Sequence, residues 1–118
     1  MEDQHPTAIH WEGNSKAVLS DFPAEVKATL GYSLRRLQNG QTPTCDTRAM
    51  SSIGSGVWEL KTDDARTWYR LLYLSKIGNV IYVLHAFEKA STKTSQRDID
   101  TAKARLKEVR QRIREQKG

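Results

Sequence analysis

Residues 57–89 read VWELKTDDARTWYRLLYLSKIGNVIYVLHAFEK, and this stretch decides the fold. Three runs rich in β-branched, leucine and aromatic residues, 57–61, 67–74 and 80–87, are separated by the turn-forming segments Thr62-Asp63-Asp64-Ala65 and Lys76-Ile77-Gly78-Asn79. Such residues suit a pleated surface, and connections this short join antiparallel neighbours, since a parallel pair needs a longer crossover. The stretch therefore predicts an antiparallel meander. Alternation places Tyr69, Leu71 and Tyr73 on one face, with Trp68, Arg70, Leu72 and Leu74 on the other. It likewise sets Ile81, Val83, His85 and Phe87 against Val80, Tyr82, Leu84 and Ala86.

Arg70 breaks this apolar pattern. A cation on a buried strand face needs a carboxylate, a group of carbonyls or a phosphate, because a bare buried charge is costly. Glu59 on the preceding strand offers the first, which makes Arg70 structural; a phosphate makes it functional. His85 titrates near neutrality and is a candidate acid or base, although a histidine in an apolar strand is more often packed and hydrogen-bonded. Lys61 and Arg66 flank the first turn. After the last strand, Lys89, Ser91, Thr92, Lys93 and Thr94 form a run suited to phosphate oxygens.

Helices precede and follow the meander. Val26, Leu30, Leu34 and Leu37 recur at spacings of four and three, one apolar stripe of a helix with Pro23 in its first turn and Asn39-Gly40 at its end. Ser15 is positioned to cap a shorter helix over 16–20, and residues 8–11 suit a first strand. At the other end Ile99, Ala102, Leu106, Val109 and Ile113 form a second stripe, with Arg97, Lys103, Arg105, Lys107, Arg110, Arg112 and Arg114 at other angles. Ser95 and Asp98 have the spacing of a capping box. Residues 41–56, rich in Thr, Ser and Gly, read as a long loop with a short strand around 50–53. The expected architecture is α+β: a small twisted antiparallel sheet, two N-terminal helices and one C-terminal helix, with the helices on one face. Residues 1–8 are expected to be a flexible extension and 9–118 a single domain.

Composition narrows the classes of function. The chain has 118 residues, 37% hydrophobic and 28% charged, with a net charge of +5. Up to Leu34 there are two basic residues against five acids; from Arg35 onward there are 17 against 9, a net of +8. A fold that gathers the later cations on one face attracts a polyanion, whereas a dispersed arrangement serves solubility. No apolar run reaches the roughly 20 residues of a membrane span, and no signal peptide is visible, so no membrane partner is expected. The single Cys45 has no disulfide partner, which fits a reducing cytoplasm. His5, His10 and His85 are scattered without the spacing of a metal site, and Gly54-Ser55-Gly56 lacks the Lys-Ser/Thr of a phosphate loop; no metal or cofactor is expected.

The run Val57-Trp58-Glu59-Leu60-Lys61, the pair Tyr69-Arg70, the run Leu84-His85-Ala86-Phe87-Glu88-Lys89 and the later Lys93-Thr94 with the Ala102 helix together carry a resemblance. Over residues 9–110 the chain resembles the phage-derived Gp49-like group, which includes HigB-type toxins of the RelE/ParE superfamily. The resemblance implies a curved antiparallel sheet with packed helices and a toxin neutralised by a cognate antitoxin, a small helix-turn-helix protein. Many such toxins cut messenger RNA on the ribosome, which implies an endoribonuclease that inhibits translation by metal-free attack of a 2′-hydroxyl. By motif, Lys61 stands where the family has arginine, Arg70 matches the arginine of Tyr-Arg, and Lys89 matches the first lysine of Phe-x-Lys-Lys. The implied catalytic set is Arg70, Lys61, Lys89 and His85, with Arg66, Lys93, Thr92 and Tyr69 binding RNA. The chain departs from the pattern at Ala90, in place of the second lysine, and at Ser95, in place of proline. A noncatalytic relative that binds nucleic acid or protein, and a DNA gyrase poison of the ParE kind, are the alternatives the superfamily allows.

Overall fold

The computed structural model describes residues 7–89 and 94–117. Thr92 and Lys93, two of the expected RNA-binding residues, and the departure at Ala90 lie outside the described residues, as does most of the expected N-terminal extension. Among the described residues the element order is β1 (Ala8–Trp11), α1 (Ser15–Ser20), α2 (Ala24–Gln38), β2 (Asp46–Ala49), β3 (Val57–Asp63), β4 (Trp68–Ile77), β5 (Val80–Lys89) and α3 (Gln96–Lys117). The strands form one open sheet in the order β1-β5-β4-β3-β2.

The meander is antiparallel as expected, with Glu59 opposite Leu72 and Arg70 opposite Phe87. β1 adds a parallel partner at one edge, Ala8 facing Val80 and Trp11 facing Val83. Two helices lie between β1 and the rest of the sheet in sequence, which supplies the chain length a parallel return requires. Thr7 is buried, and its backbone N–H donates to the Gln38 carbonyl, so the ordered fold begins before residue 9.

The expectation of helices on one face is corrected: they cover both. Leu19 and Phe22 with Val26, Leu30 and Leu34 of α2 pack on Leu60, Tyr69, Leu71, Tyr73, Ile81, Val83 and Ala86. On the opposite face Ala102, Leu106 and Val109 of α3 pack with Met50, Ile53 and Val57 on Leu72, Leu74, Tyr82, Leu84 and Phe87. The reason was present in β4, whose two faces are both apolar; a strand of that kind is covered on both sides. No helix among the described residues is long and apolar enough to cross a membrane.

The alternation assigned to β5 also changes. Leu72 pairs with His85 but Tyr73 pairs with Val83, so Leu84 is an extra residue in the ladder, a β-bulge. Beyond it the pleat is out of step with the first half of the strand: Ala86 joins the α2 side, and Phe87 joins the α3 side. A pattern read with period two cannot register an inserted residue.

Local expectations fare unevenly. α2 ends as expected at Asn39, with Gly40 at φ +75°. Ser15 does not cap α1; it is buried at the first position of that helix, and its hydroxyl donates to the Val83 carbonyl. The short strand in the long loop is Asp46–Ala49 rather than 50–53. β2 is an exposed edge strand and carries no apolar alternation, whereas Met50 and Ile53 are apolar because they turn into the α3 core.

Candidate functional site

At the end of the sheet near the start of α3, side chains of four strands share the α3 face. β2 contributes Arg48, β3 contributes Glu59 and Lys61, β4 contributes Trp68 and Arg70, and β5 contributes His85, Phe87 and Lys89. Cross-strand register sets their order: Lys61, Arg70 and Phe87 form one row, and Asp63, Trp68 and Lys89 the next. Four of the residues singled out by sequence, Lys61, Arg70, His85 and Lys89, are thus brought to one side of one sheet.

Two carboxylates organise this group. Glu59 is 1% exposed and Arg70 is 0% exposed, and the Arg70 guanidinium donates to Glu59 Oε2 at 2.9 Å. Arg70 also donates to the Thr94 hydroxyl at 3.4 Å, while Arg48 reaches the other Glu59 oxygen at 3.4 Å from a largely exposed position. Of the two readings of Arg70, the ion pair with Glu59 is the one seen.

The second carboxylate is Asp98, in the first turn of α3. Ser95 caps the helix: its Oγ accepts from the Asp98 backbone N–H at 3.2 Å and donates to Asp98 Oδ2 at 2.6 Å. His85 Nε2 lies 2.9 Å from Asp98 Oδ1, and the Lys89 ammonium lies 3.3 Å from Oδ2. Burial by itself would raise the Asp98 carboxyl, but hydrogen bonds from Ser95, His85 and Lys89 outweigh it and hold the group below the ordinary aspartate value.

His85 is held from both sides. Arg105 Nη1 donates to the Leu84 carbonyl at 2.9 Å and approaches His85 Nδ1 at 3.3 Å, and Arg105 Nη2 donates to Asn14 Oδ1 at 3.0 Å. A guanidinium only donates, so Nδ1 is the acceptor and the proton sits on Nε2, directed at Asp98. Burial pushes the His85 pKa below its ordinary value despite the Asp98 carboxylate, and the Arg105 charge acts in the same direction as burial. With its lone pair turned to Arg105, this imidazole is poorly placed as a general base. Arg105 itself packs over Gly13, where φ is +54° and a Cβ would meet the guanidinium.

A pH prediction follows. His85 has a folded pKa below its unfolded value, so between the two the unfolded chain binds the proton that the folded chain refuses. Its contribution to stability is present above about 6.5 and lost as pH falls through the folded pKa. The urea midpoint is expected to fall between about pH 7.5 and 5.5, and to fall less in His85→Gln. Equal slopes in the two proteins would remove His85 as the cause. Asp98, with its depressed pKa, contributes in a separate window: its share is present above about 3.8 and lost on further acidification.

The remaining candidates lie apart. Tyr69 is buried on the α2 face, edge-on to Phe22, with its hydroxyl donating to Asp64 at 3.0 Å, so its ring is not presented for stacking. Arg66 is exposed in the turn that Asp64 closes by accepting from the Arg66 and Thr67 backbone N–H groups. Burial pushes the Cys45 thiol up, which suits a packed residue and not a nucleophile.

Sequence reasoning passed over Trp68 and Arg105, and it saw Asp98 only as a helix cap. Trp68 shares a strand face with Arg70, a signal available from alternation alone. By sequence Arg105 is one of the cations set at other angles from the apolar stripe of the last helix, and its inward turn depends on Gly13 and Asn14, far away in sequence. Between β2 and the start of α3 lies a cleft of about 600 Å3 lined by Arg48, Ala49, Met50, Ser51, Ser52, Thr94 and Ile99. A hollow of about 310 Å3 beside it is lined by Asp46, Thr47, Arg48, Glu59 and Lys61. The basic group therefore borders a recess open to solvent.

No curated protein matches the chain. The family model described as Phage derived protein Gp49-like (DUF891) matches residues 17–107, a span that runs from α1 through the first half of α3 and includes every strand residue of the group just described. The chain belongs to this phage-derived Gp49-like family, the Gp49/HigB-like type of toxin.

Proposed function

We propose that this toxin acts on messenger RNA at the ribosome as an endoribonuclease, and that a cognate antitoxin, a small helix-turn-helix protein, neutralises it in the cytoplasm. The observation that carries the reading is the placement of Lys61 and Lys89, from the strands on either side of β4, on one sheet face, with Lys61 lining an open recess. In the proposed reaction a base removes the proton of a 2′-hydroxyl and the freed oxygen attacks the adjacent phosphorus. The bond to the 5′-oxygen then breaks, and an acid protonates that oxygen, leaving a 2′,3′-cyclic phosphate and a 5′-hydroxyl. Lys61 and Lys89 stabilise the extra negative charge of the phosphorane. Arg70, neutralised by Glu59 and buried, supports the strand row instead of meeting the phosphate. Lys93 is assigned proton transfer in this scheme, and Arg66 and Thr92 are assigned phosphate binding.

A second reading has its own support. His85 has both nitrogens engaged, which favours a relative that binds RNA without cutting it. Inducible expression followed by primer extension on total messenger RNA separates the two. Discrete cuts that disappear when translation is blocked are the expected result. Growth arrest without cuts favours the noncatalytic binder, and DNA damage instead of cuts overturns the RNA reading in favour of a gyrase poison.

A further inference from the structure

Trp68 belongs to neither core cluster, although Tyr69 beside it and Leu72 further along its own strand face belong to one each. Tyr82 and Phe87, which share its sheet face, are buried under α3, whereas Trp68, nearer the open end of the sheet, is only partly buried. The fold therefore leaves an indole at the open end of a basic sheet face. Lys61 Nζ stands 4.8 Å from the centre of its ring, Lys89 is its cross-strand neighbour on β5, and the exposed Arg66 precedes it by two residues. A lone lysine on a partly exposed tryptophan stabilises a fold only slightly, so that contact alone does not account for this placement.

We infer that Trp68 is a stacking seat for one unpaired base of single-stranded RNA, with Lys61 and Lys89 holding the flanking phosphates. This inference rests on the RNA reading proposed above and names the part of the substrate that its surface recognises. The chemistry fits: every base has a π face, and stacking on an indole needs a base that is free of its partner strand. Beyond Lys61 on β3 the next residue on this face is Asp63, the cross-strand neighbour of Trp68, whose carboxylate repels phosphate, so the backbone passes over Lys61 and Lys89 and away from Asp63. Lys61 is already drawn to the ring and is positioned to exchange that contact for a phosphate oxygen when a base arrives.

The experiment measures fluorescence anisotropy of a labelled single-stranded RNA about ten nucleotides long with the full chain, over a series of salt concentrations. Its arms are a DNA strand and an RNA duplex of the same sequence, and an RNA with abasic positions. Trp68→Leu keeps an apolar side chain and removes the ring, so the fold is retained and checked by its melting curve. Affinity for the single strand is expected to fall about 10-fold in Trp68→Leu, with an unchanged salt slope, and to stay within about 3-fold in Trp68→Phe. Lys61→Ala is expected to reduce the salt slope by about 0.7. The abasic RNA is expected to bind wild type and Trp68→Leu equally. Unchanged affinity in folded Trp68→Leu overturns the seat and leaves the basic-face reading standing. Salt-insensitive or absent binding by the wild type overturns both. Preference for the duplex overturns the base-stacking assignment, and equal effects on DNA and RNA overturn the assignment to RNA.

Discussion

Glu59→Ala is expected to lower the free energy of unfolding by about 3–5 kcal/mol, because it leaves the cation of Arg70 buried after its counter-charge has gone. Arg70 is 0% exposed and cannot turn to water without opening the sheet, and Arg48 on the neighbouring edge strand adds a second positive charge nearby. Removing both members of the pair is a different matter. Glu59→Leu combined with Arg70→Met is expected to recover most of the loss, since apolar groups of similar volume often replace a buried ion pair at little cost. Urea denaturation at neutral pH measures both; a single variant within about 1 kcal/mol of wild type would show that Glu59 does not balance Arg70. The result also governs how Arg70→Ala is to be read. A loss of toxicity in that variant reports the fold before it reports any chemistry, unless the protein is shown to be folded at the assay temperature.

Lys61→Ala and Lys89→Ala are each expected to reduce the proposed ribosome-dependent cleavage by about 10² to 10³, the usual effect of removing one well-placed transition-state donor. Their stability is expected to stay close to wild type. Lys89 is 33% exposed in its contact with Asp98, and pairs of that kind contribute about 0–1 kcal/mol. Lys61 rests on the Trp68 ring at the surface, where its removal leaves no buried charge. Lys61→Arg keeps the charge and presents a planar fork to phosphate, so it is expected to retain most of the activity. Single-turnover cleavage of a defined message on programmed ribosomes gives the numbers. Undiminished cleavage in either alanine variant would remove that lysine from the reaction, and a loss of rate at saturating toxin, beyond any loss of RNA affinity, would assign them to the transition state.

The strand runs of 57–89, the stripe of α2 and the stripe of α3 were legible because each depends on neighbours within a few positions. Arg70 was legible as an anomaly for the same reason: a charge in an apolar period is visible without knowing what it meets. Its two candidate partners were both named, and only the 2.9 Å contact between neighbouring strands decided for Glu59. β2 was misplaced because an exposed edge strand needs no apolar alternation, and Met50 and Ile53 imitated one. Asp98 shows the boundary most plainly. Its spacing from Ser95 was enough to predict a helix cap, while its contacts with His85 and Lys89 arise from the docking of α3 on the far side of the sheet.

The sequence by itself determined the antiparallel meander, the amphipathic helices, the excess of basic residues after Leu34 and the family, all properties carried by local pattern or by composition. The tertiary structure decided what the cations do. It packed helices on both faces, inserted Leu84 as a bulge that swings Phe87 to the α3 side, and gave Arg70 to Glu59 and His85 to Asp98 and Arg105. A charge acts through whatever lies within a few ångströms of it, and those neighbours are set by strand register and helix docking, to which a residue's nearest neighbours in sequence contribute little.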